Sequence, residues 1–276
     1  MSEAPEGAVR GPQPRTTIVT FLGAVVRPLG GWMPIAAAVD LLGEVGIDAP
    51  SVRTAVFRLK KNGWLDPASR SGARGYLLTE EADATLAAGD EVIWHARKPA
   101  DLSDGWCIVH FGVPESMRAK RHQLRSHLTS LGFGNIGTAL WIAPARMRQA
   151  AERAIEDLGL GGYAAIFVGD YFGPQDLTRV LYDSWDLAAI DRGYRDFIDA
   201  YRSQFRQLSE LAGAEAFAAY LTMLDRWRKL PFRDPGLPRE VLAADWPAGA
   251  AVALFEELVA VLEGPALDHA RASWGG

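Results

Sequence analysis

Between Asp48 and Gly63 the chain carries a helix with a start signal, a stop signal and two chemically opposed faces, and few folds accommodate such a segment. Asp48 is a good N-cap, Pro50 suits a first turn in which its missing N–H costs nothing, and Gly63 stops the run after Asn62. Val52, Ala55, Val56 and Leu59 recur as one helical stripe, whereas Ser51, Arg53, Thr54, Arg58, Lys60 and Lys61 lie off it. One face is built to pack and the other is basic.

The flanking sequence gives this helix a context. Upstream, Thr16 or Thr17 can cap a first helix with Ile18, Phe21, Leu22 and Val25 on its apolar face, ended by Pro28-Leu29-Gly30-Gly31. A second, short helix is expected from Met33 to Leu42, after which Gly43 and Gly46 open a tight turn into Asp48. A short helix after a tight turn is the helix-turn-helix arrangement, in which residues near the second helix's N-terminus reach base edges in the major groove. Downstream, Trp64-Leu65 and Tyr76-Leu77-Leu78 predict two short strands, and residues 66–75 between them predict a wing loop with Arg70 and Arg74 near its tip.

On this reading Arg53 and Arg58 are the guanine readers, because a guanidinium can donate two hydrogen bonds to one guanine edge. Lys60 and Lys61 are expected on phosphates, Ser51 and Thr54 beside them, and Arg70 and Arg74 on the backbone or in a minor groove. The competing reading is that these are solvated charges on a generic helical bundle.

A formal charge of −5 looks wrong for a nucleic-acid partner, but its distribution does not. Residues 16–78 hold seven basic and four acidic side chains, net +3, while residues 79–276 carry −8. That asymmetry suggests a basic reading head on an acidic body.

At 276 residues the chain is expected to hold two or three cores, and its 49% hydrophobic, 23% charged composition is that of an ordinary soluble protein. No apolar stretch approaches the roughly 18 residues that a membrane-spanning helix needs. Residues 1–15, with Pro5, Gly7, Gly11, Pro12 and Pro14, read as a tail without the apolar core of a secretory signal. Cys107 is the single cysteine, which excludes an intramolecular disulfide and a Cys-rich zinc module and suits a reducing, cytoplasmic compartment.

Beyond the head, Thr79 can cap a linker helix to about His95, and Lys98-Pro99 marks a boundary, so the head is assigned to 16–98. Strands at 106–111, 133–136, 139–142 and 164–168, with helices at 115–131 and 144–158, give the order strand, helix, strand, strand, helix, strand. That is a ferredoxin-like split unit, assigned to 100–173 as a dimerisation module. Gly132-Phe133-Gly134-Asn135-Ile136-Gly137 spells G-x-G-x-x-G, but a helix precedes it and a strand follows, the reverse of a dinucleotide site. His122 and His127, five residues apart on one helix, fall on different faces and make a poor metal pair. No nucleophile elbow, phosphate loop or H-E-x-x-H pair is present, so neither a catalytic nor a metal site is assigned.

From Pro174 the pattern is helical to about Gly264, broken by a proline-rich crossing at Leu230-Pro231-Phe232-Arg233-Asp234-Pro235-Gly236-Leu237-Pro238, and 174–276 is read as a helical C-terminal domain. The fold class expected for the whole is α+β.

From about Thr16 onward the chain resembles the PaaX family of repressors of phenylacetic acid degradation. The residues that carry the resemblance are Val26-Arg27-Pro28-Leu29-Gly30-Gly31, Ser51-Val52-Arg53-Thr54-Ala55-Val56-Phe57-Arg58-Leu59, Gly63-Trp64-Leu65, Leu131-Gly132-Phe133-Gly134 and Trp185-Asp186-Leu187. Phe232-Arg233-Asp234-Pro235-Gly236-Leu237-Pro238 with Asp245-Trp246-Pro247 adds a distant match. The resemblance implies a winged-helix head on double-stranded operator DNA, a homodimer, no cofactor, and release by an aryl-acetyl coenzyme A thioester such as phenylacetyl-CoA. Trp185, Arg192, Arg195 and Arg233 are the residues considered for contacts to that effector. The middle unit also looks like the small ferredoxin-like nucleases of CRISPR systems, whose first strand ends in a metal-binding aspartate, but Gly112 stands at that place here. A repressor without enzyme activity is therefore expected, with a metal-dependent nuclease and a protein-interaction adaptor as the alternatives.

Overall fold

Thr17, Ile18, Phe21, Leu22, Val25 and Val26 are all buried, more of one helix's circumference than two neighbours can cover. In the computed structural model, which describes residues 14–94 and 98–274, packing divides the chain into two compact units. Of the described residues, one gathers those up to Glu91, Ala200–Trp227 and those from Ala253 onward; the other holds those within Val92–Asp199 and Arg228–Val252. The expected helical segment 174–276 is thus shared between the two, because the broad apolar surface of the first helix draws later helices onto it.

In the first unit, α1 (Pro14–Phe21) continues as a π-helical stretch over Leu22–Val26 and is followed by α2 (Ile35–Glu44) and α3 (Ala49–Lys61). A linker helix, α4 (Glu80–Ile93), is started by Thr79, whose Oγ1 accepts from the Ala82 amide; its expected end at His95 lies outside the described residues. Arg27 ties α4 down through Asp83 at 2.8 Å and Asp90 at 2.6 Å, so one head cation is used internally. The C-terminal helices α9 (Phe205–Leu208), α10 (Gly213–Trp227) and the later turns of α11 (Ala248–Trp274) complete this unit. Phe21 meets Phe217 edge-on, with ring centroids 6.3 Å apart, and Trp274 at 6.2 Å. Full burial of such an aromatic ring contributes about 1.5–3 kcal/mol. Within the same core the Thr20 hydroxyl donates to the buried Asp225 carboxylate.

Two expectations are corrected in this unit. Residues Trp32–Pro34 form a short strand, β1, where a helix from Met33 was expected; three residues are too few to show alternation. The expected wing loop of 66–75 is almost wholly paired, as β2 (Leu65–Arg70) and β3 (Ala73–Leu78) in the sheet order β1-β3-β2. The turn needs only Ser71 and Gly72, both at positive φ (50° and 83°), the conformation of a two-residue hairpin turn whose twist matches the strands. Pro67 is tolerated because β2 is an edge strand.

The second unit contains β4 (Trp106–Phe111), α5 (Arg118–Ser130), β5 (Gly134–Gly137), β6 (Leu140–Pro144), α6 (Arg148–Asp157) and β7 (Ala164–Gly169). Its antiparallel sheet has the order β5-β6-β4-β7, which is the ferredoxin-like topology the sequence order implied. Cys107, Val109 and Phe111 alternate onto the face that α5 and α6 cover through Leu124, Leu128 and Ile155. Burial pushes the Cys107 thiol up to about 11, which makes it inert packing. The glycines of the G-x-G-x-x-G run are turn and contact glycines: Gly132 has φ +88°, and a Cβ on Gly134 would stand 2.7 Å from the Trp185 ring. Helices α7 (Leu177–Ser184) and α8 (Leu187–Arg202) follow, the latter entering the first unit at Ala200.

Past the proline-rich crossing, which is non-helical as expected, α11 runs beyond Gly264 and through Pro265 to Trp274, longer than the sequence suggested. Ala266 and Ala270 are fully buried and the Trp274 indole N–H donates to the Trp32 carbonyl at 2.7 Å, gains that offset the hydrogen bond lost at Pro265.

Among the glycines of the head the tightest approach is at Gly75, where a Cβ would sit 2.2 Å from the Met33 carbonyl oxygen. Gly75→Ala is expected to force β1 and β3 apart and destabilise the head by about 1–3 kcal/mol. Chemical denaturation followed by circular dichroism checks this, and an unchanged midpoint would contradict the packing described.

Candidate nucleic-acid interface

Turn geometry decides where α3 begins. After α2, Gly46 takes φ +81° and the Ile47 amide returns to the Leu42 carbonyl at 3.0 Å, so four residues reverse the chain. Asp48 then caps α3: its carboxylate accepts from the Ser51 amide at 2.9 Å and from the Ser51 hydroxyl at 2.7 Å. These two bonds hold the Asp48 carboxyl below its ordinary range, the Ser51 backbone bond contributing most. Ser51, one of the expected contact residues, therefore has its hydroxyl committed to the cap.

Val52 and Val56 are sealed, at 0% and 2% exposure, against α1 and α2. Because the helix repeats every 3.6 residues, burying that stripe turns the opposite one outward. Arg53, Thr54, Arg58, Lys60 and Lys61 are all exposed. The helix stops at Asn62 and Gly63, and the Thr79 hydroxyl donates to the Gly63 carbonyl at 2.7 Å, tying its end to the strand that follows.

The hairpin places its two arginines differently. Ser69 pairs with Arg74 and Arg70 with Ala73, so Arg70 and Arg74 project from opposite faces of the ribbon. The Arg70 guanidinium lies 5.5 Å from the centroid of the Trp32 ring, a cation–π contact that aims it, while Arg74 is exposed. Among the described residues, Arg53, Arg58, Lys60, Lys61, Arg70 and Arg74 form no salt bridge. Six cations on α3 and the hairpin are left without internal counter-charges.

Phe57 was not singled out from the sequence as a contact residue. It lies one turn beyond Arg53 and three residues before Lys60, on the exposed stripe, with 64% of its surface in water. An apolar residue that breaks a basic face at i+4 was the available signal.

The four effector candidates occupy different settings. Trp185 donates from Nε1 to the Gly132 carbonyl at 3.1 Å and packs on Gly134. Arg195 is held by Asp191 at 2.8 Å and Asp245 at 2.7 Å, while Arg192, three residues earlier on α8, and Arg233, in the proline-rich crossing, are exposed. None of the four lines the cavity that the crossing forms with Tyr194, Leu242 and Trp246.

A three-helix head with a paired hairpin after its third helix, carried by a chain with a ferredoxin-like sheet and a helical C-terminus, defines a class of multi-module protein whose head presents a cationic surface. Three family models match in succession: the PaaX-like protein model over residues 13–82, the PaaX protein central Cas2-like domain over 99–181, and the PaaX-like protein C-terminal domain over 185–272. The chain belongs to the PaaX family. It is 27% identical over 242 residues to the transcriptional repressor PaaX of Escherichia coli (strain K12), a match covering 84% of this chain and 75% of that protein. An uncharacterized protein from Mycobacterium tuberculosis shares the fold, with a TM-score of 0.59 at 17% identity over 94% of this chain and 99% of that one. Among the described residues no helix is long and apolar enough to cross a membrane.

The cap gives a pH signature. A carboxyl whose folded pKa is depressed stabilises the fold fully above its unfolded pKa, about 3.9, and that contribution is lost as pH falls through the folded value. Asp48→Ala is therefore expected to melt below the wild type at neutral pH, with the gap closing only below about pH 4. Thermal melts from pH 7 to pH 3 check this; a gap that is constant across the range would contradict the cap.

Proposed function

We propose that the chain is a cytoplasmic, DNA-binding transcriptional repressor of an aromatic-acid operon of the phenylacetate type, with α1 to α3 and the β2-β3 hairpin acting as a winged helix-turn-helix head. The observation that carries this reading is the set of exposed cations on α3 and the hairpin, which form no salt bridge among the described residues although the chain as a whole is acidic. Leaving them so exposes like charges to mutual repulsion, a cost that a phosphate backbone offsets through counterion release.

Arg53 and Arg58 read guanines, Thr54 assists them, and Lys60 and Lys61 bind phosphates. Ser51 orders the helix N-terminus beside them. Phe57 reads the C5-methyl group of thymine, the one apolar feature on a base edge in the major groove. Because Arg70 and Arg74 face opposite ways, a wing entering a minor groove offers one cation to each wall.

Two heads act together through the ferredoxin-like sheet. Strand β7 is one of its two edges, with Phe167 62% and Val168 50% exposed and Phe172 just beyond at 91%, an apolar edge that a second copy would cover by two-fold pairing. An aryl-acetyl coenzyme A thioester releases the DNA by favouring an arrangement of the heads that does not fit the half-sites.

The nuclease reading draws on the Cas2-like description of the middle domain. Against it, β4 ends at Phe111 and Gly112 follows where the nucleases carry their aspartate.

Gel-shift titration on DNA upstream of the chain's own gene is expected to give a specific band that phenylacetyl-CoA dissolves. Arg53→Ala and Arg58→Ala should each cost about 1–3 kcal/mol of binding and relax selectivity at one base pair, whereas Lys60→Ala should weaken all sequences alike and reduce the salt slope by about 1. Unchanged affinity in the Arg53→Ala and Arg58→Ala double variant would rule out a reading helix. Phe57→Ala should lose the preference for thymine over deoxyuridine, a swap that removes only the methyl group; an equal preference in variant and wild type would remove Phe57 from the reading set.

A further inference from the structure

The second unit contains a cavity of about 290 Å³ that the DNA-reading head does not use. Tyr194, Leu237, Leu242 and Trp246 supply its apolar wall, and the first turns of α11 close it at Ala248, Gly249 and Val252. Its frame is rigid. The Tyr194 hydroxyl donates to Asp234 at 3.0 Å, the Gly236 amide donates to the same carboxylate at 2.8 Å, and Arg146 donates to the carbonyls of Gly236 and Lys98. The crossing loop, a helix interruption in the sequence, is thus a wall held by hydrogen bonds, those on Asp234 buried.

Charge is distributed unevenly around this space. Its lining anion, Asp234, is only 6% exposed and already engaged by Tyr194 and the Gly236 amide. Lys98 and Arg239 also line it, but both are exposed, and neither forms a salt bridge among the described residues. An uncharged apolar group fits the wall, and an anionic carrier fits the exposed cations. The volume sits at the lower end of small-molecule sites, about 300–1,000 Å³, so the apolar head enters and a bulky carrier stays outside.

We propose that this cavity is the effector site, taking the acyl head of an aryl-acyl coenzyme A thioester on Tyr194, Leu237, Leu242 and Trp246, with Lys98 and Arg239 meeting the carrier's phosphates. The inference rests on the effector reading above and adds its location and polarity. A free aryl acid fits less well, because it lacks the phosphates that the exposed cations await and brings its carboxylate towards Asp234. Arg195 lies outside the cavity and bridges Asp245, the residue next to Trp246.

Calorimetric titration of the full chain with phenylacetyl-CoA, coenzyme A and phenylacetate tests this. Wild type should bind phenylacetyl-CoA at least tenfold more tightly than either fragment. Arg239→Glu and Lys98→Glu, both at exposed positions, should each weaken it about tenfold, with the loss shrinking at high salt. Val252→Trp, which fills the cavity, should abolish binding; if it unfolds the protein, the two charge reversals decide. Tight wild-type binding that all the folded variants retain would place the effector elsewhere and overturn this site while leaving the effector reading intact. Absence of wild-type binding would overturn both together, and phenylacetate binding as tightly as the thioester would overturn the assigned ligand class.

Discussion

The outward basic face of α3 depends on two buried side chains that are not part of it. Val52 and Val56 are sealed against α1 and α2, and their burial fixes the rotation of α3 about its axis. A rotation of one residue, about 100°, would bury Arg53 or Lys60 and leave a charge in an apolar core, which costs far more than the valines contribute. The hydrophobic stripe thus selects the orientation, and the basic face is outward because the alternative is forbidden. Asp48 adds the second constraint by fixing where the helix begins, so that Arg53 lies within its first turns.

The rest of the chain can be understood as what such a helix needs. A three-helix head alone cannot cover α1, whose buried residues include Thr17, Ile18, Phe21 and Leu22. Helices from the far end of the sequence supply the missing cover, with Phe217 and Trp274 against Phe21 and Asp225 on Thr20. The Trp274 indole also bonds the Trp32 carbonyl, one strand away from the hairpin. Chain ends remote in sequence therefore share one core, and the head is stabilised by residues that a truncation after the hairpin would remove.

Much of this was legible in the sequence where local rules suffice. The cap at Asp48, the stripe of Val52 and Val56, the stop at Gly63 and the six-element order of the ferredoxin-like unit all follow from spacing and turn chemistry, which act over a few residues. What escaped reading depends on partners distant in the chain. Strand β1 exists only because Gly75 lets β3 approach Met33; α11 continues past Pro265 because Ala266 and Ala270 are buried; the helices after 174 divide between two units because α1 needs cover. The wing was expected as a loop because Ser, Gly, Ala and Pro are common in loops, whereas cross-strand pairing organised nearly all of 66–75. The outward placement of Arg53, Thr54, Arg58, Lys60 and Lys61 follows from the helical wheel, and so does that of Phe57 at i+4 from Arg53, whereas the commitment of the Ser51 hydroxyl to the cap depends on a side-chain rotamer that the wheel does not carry.

Methylation interference tests the central claim most directly, because a methyl group on guanine N7 stands in the major groove at the position an arginine on α3 would occupy. The account predicts that bound and free DNA differ at guanines in two half-sites, separated by about 10 base pairs or a multiple of that spacing. A pattern in which no guanine N7 matters, with binding intact, would contradict it.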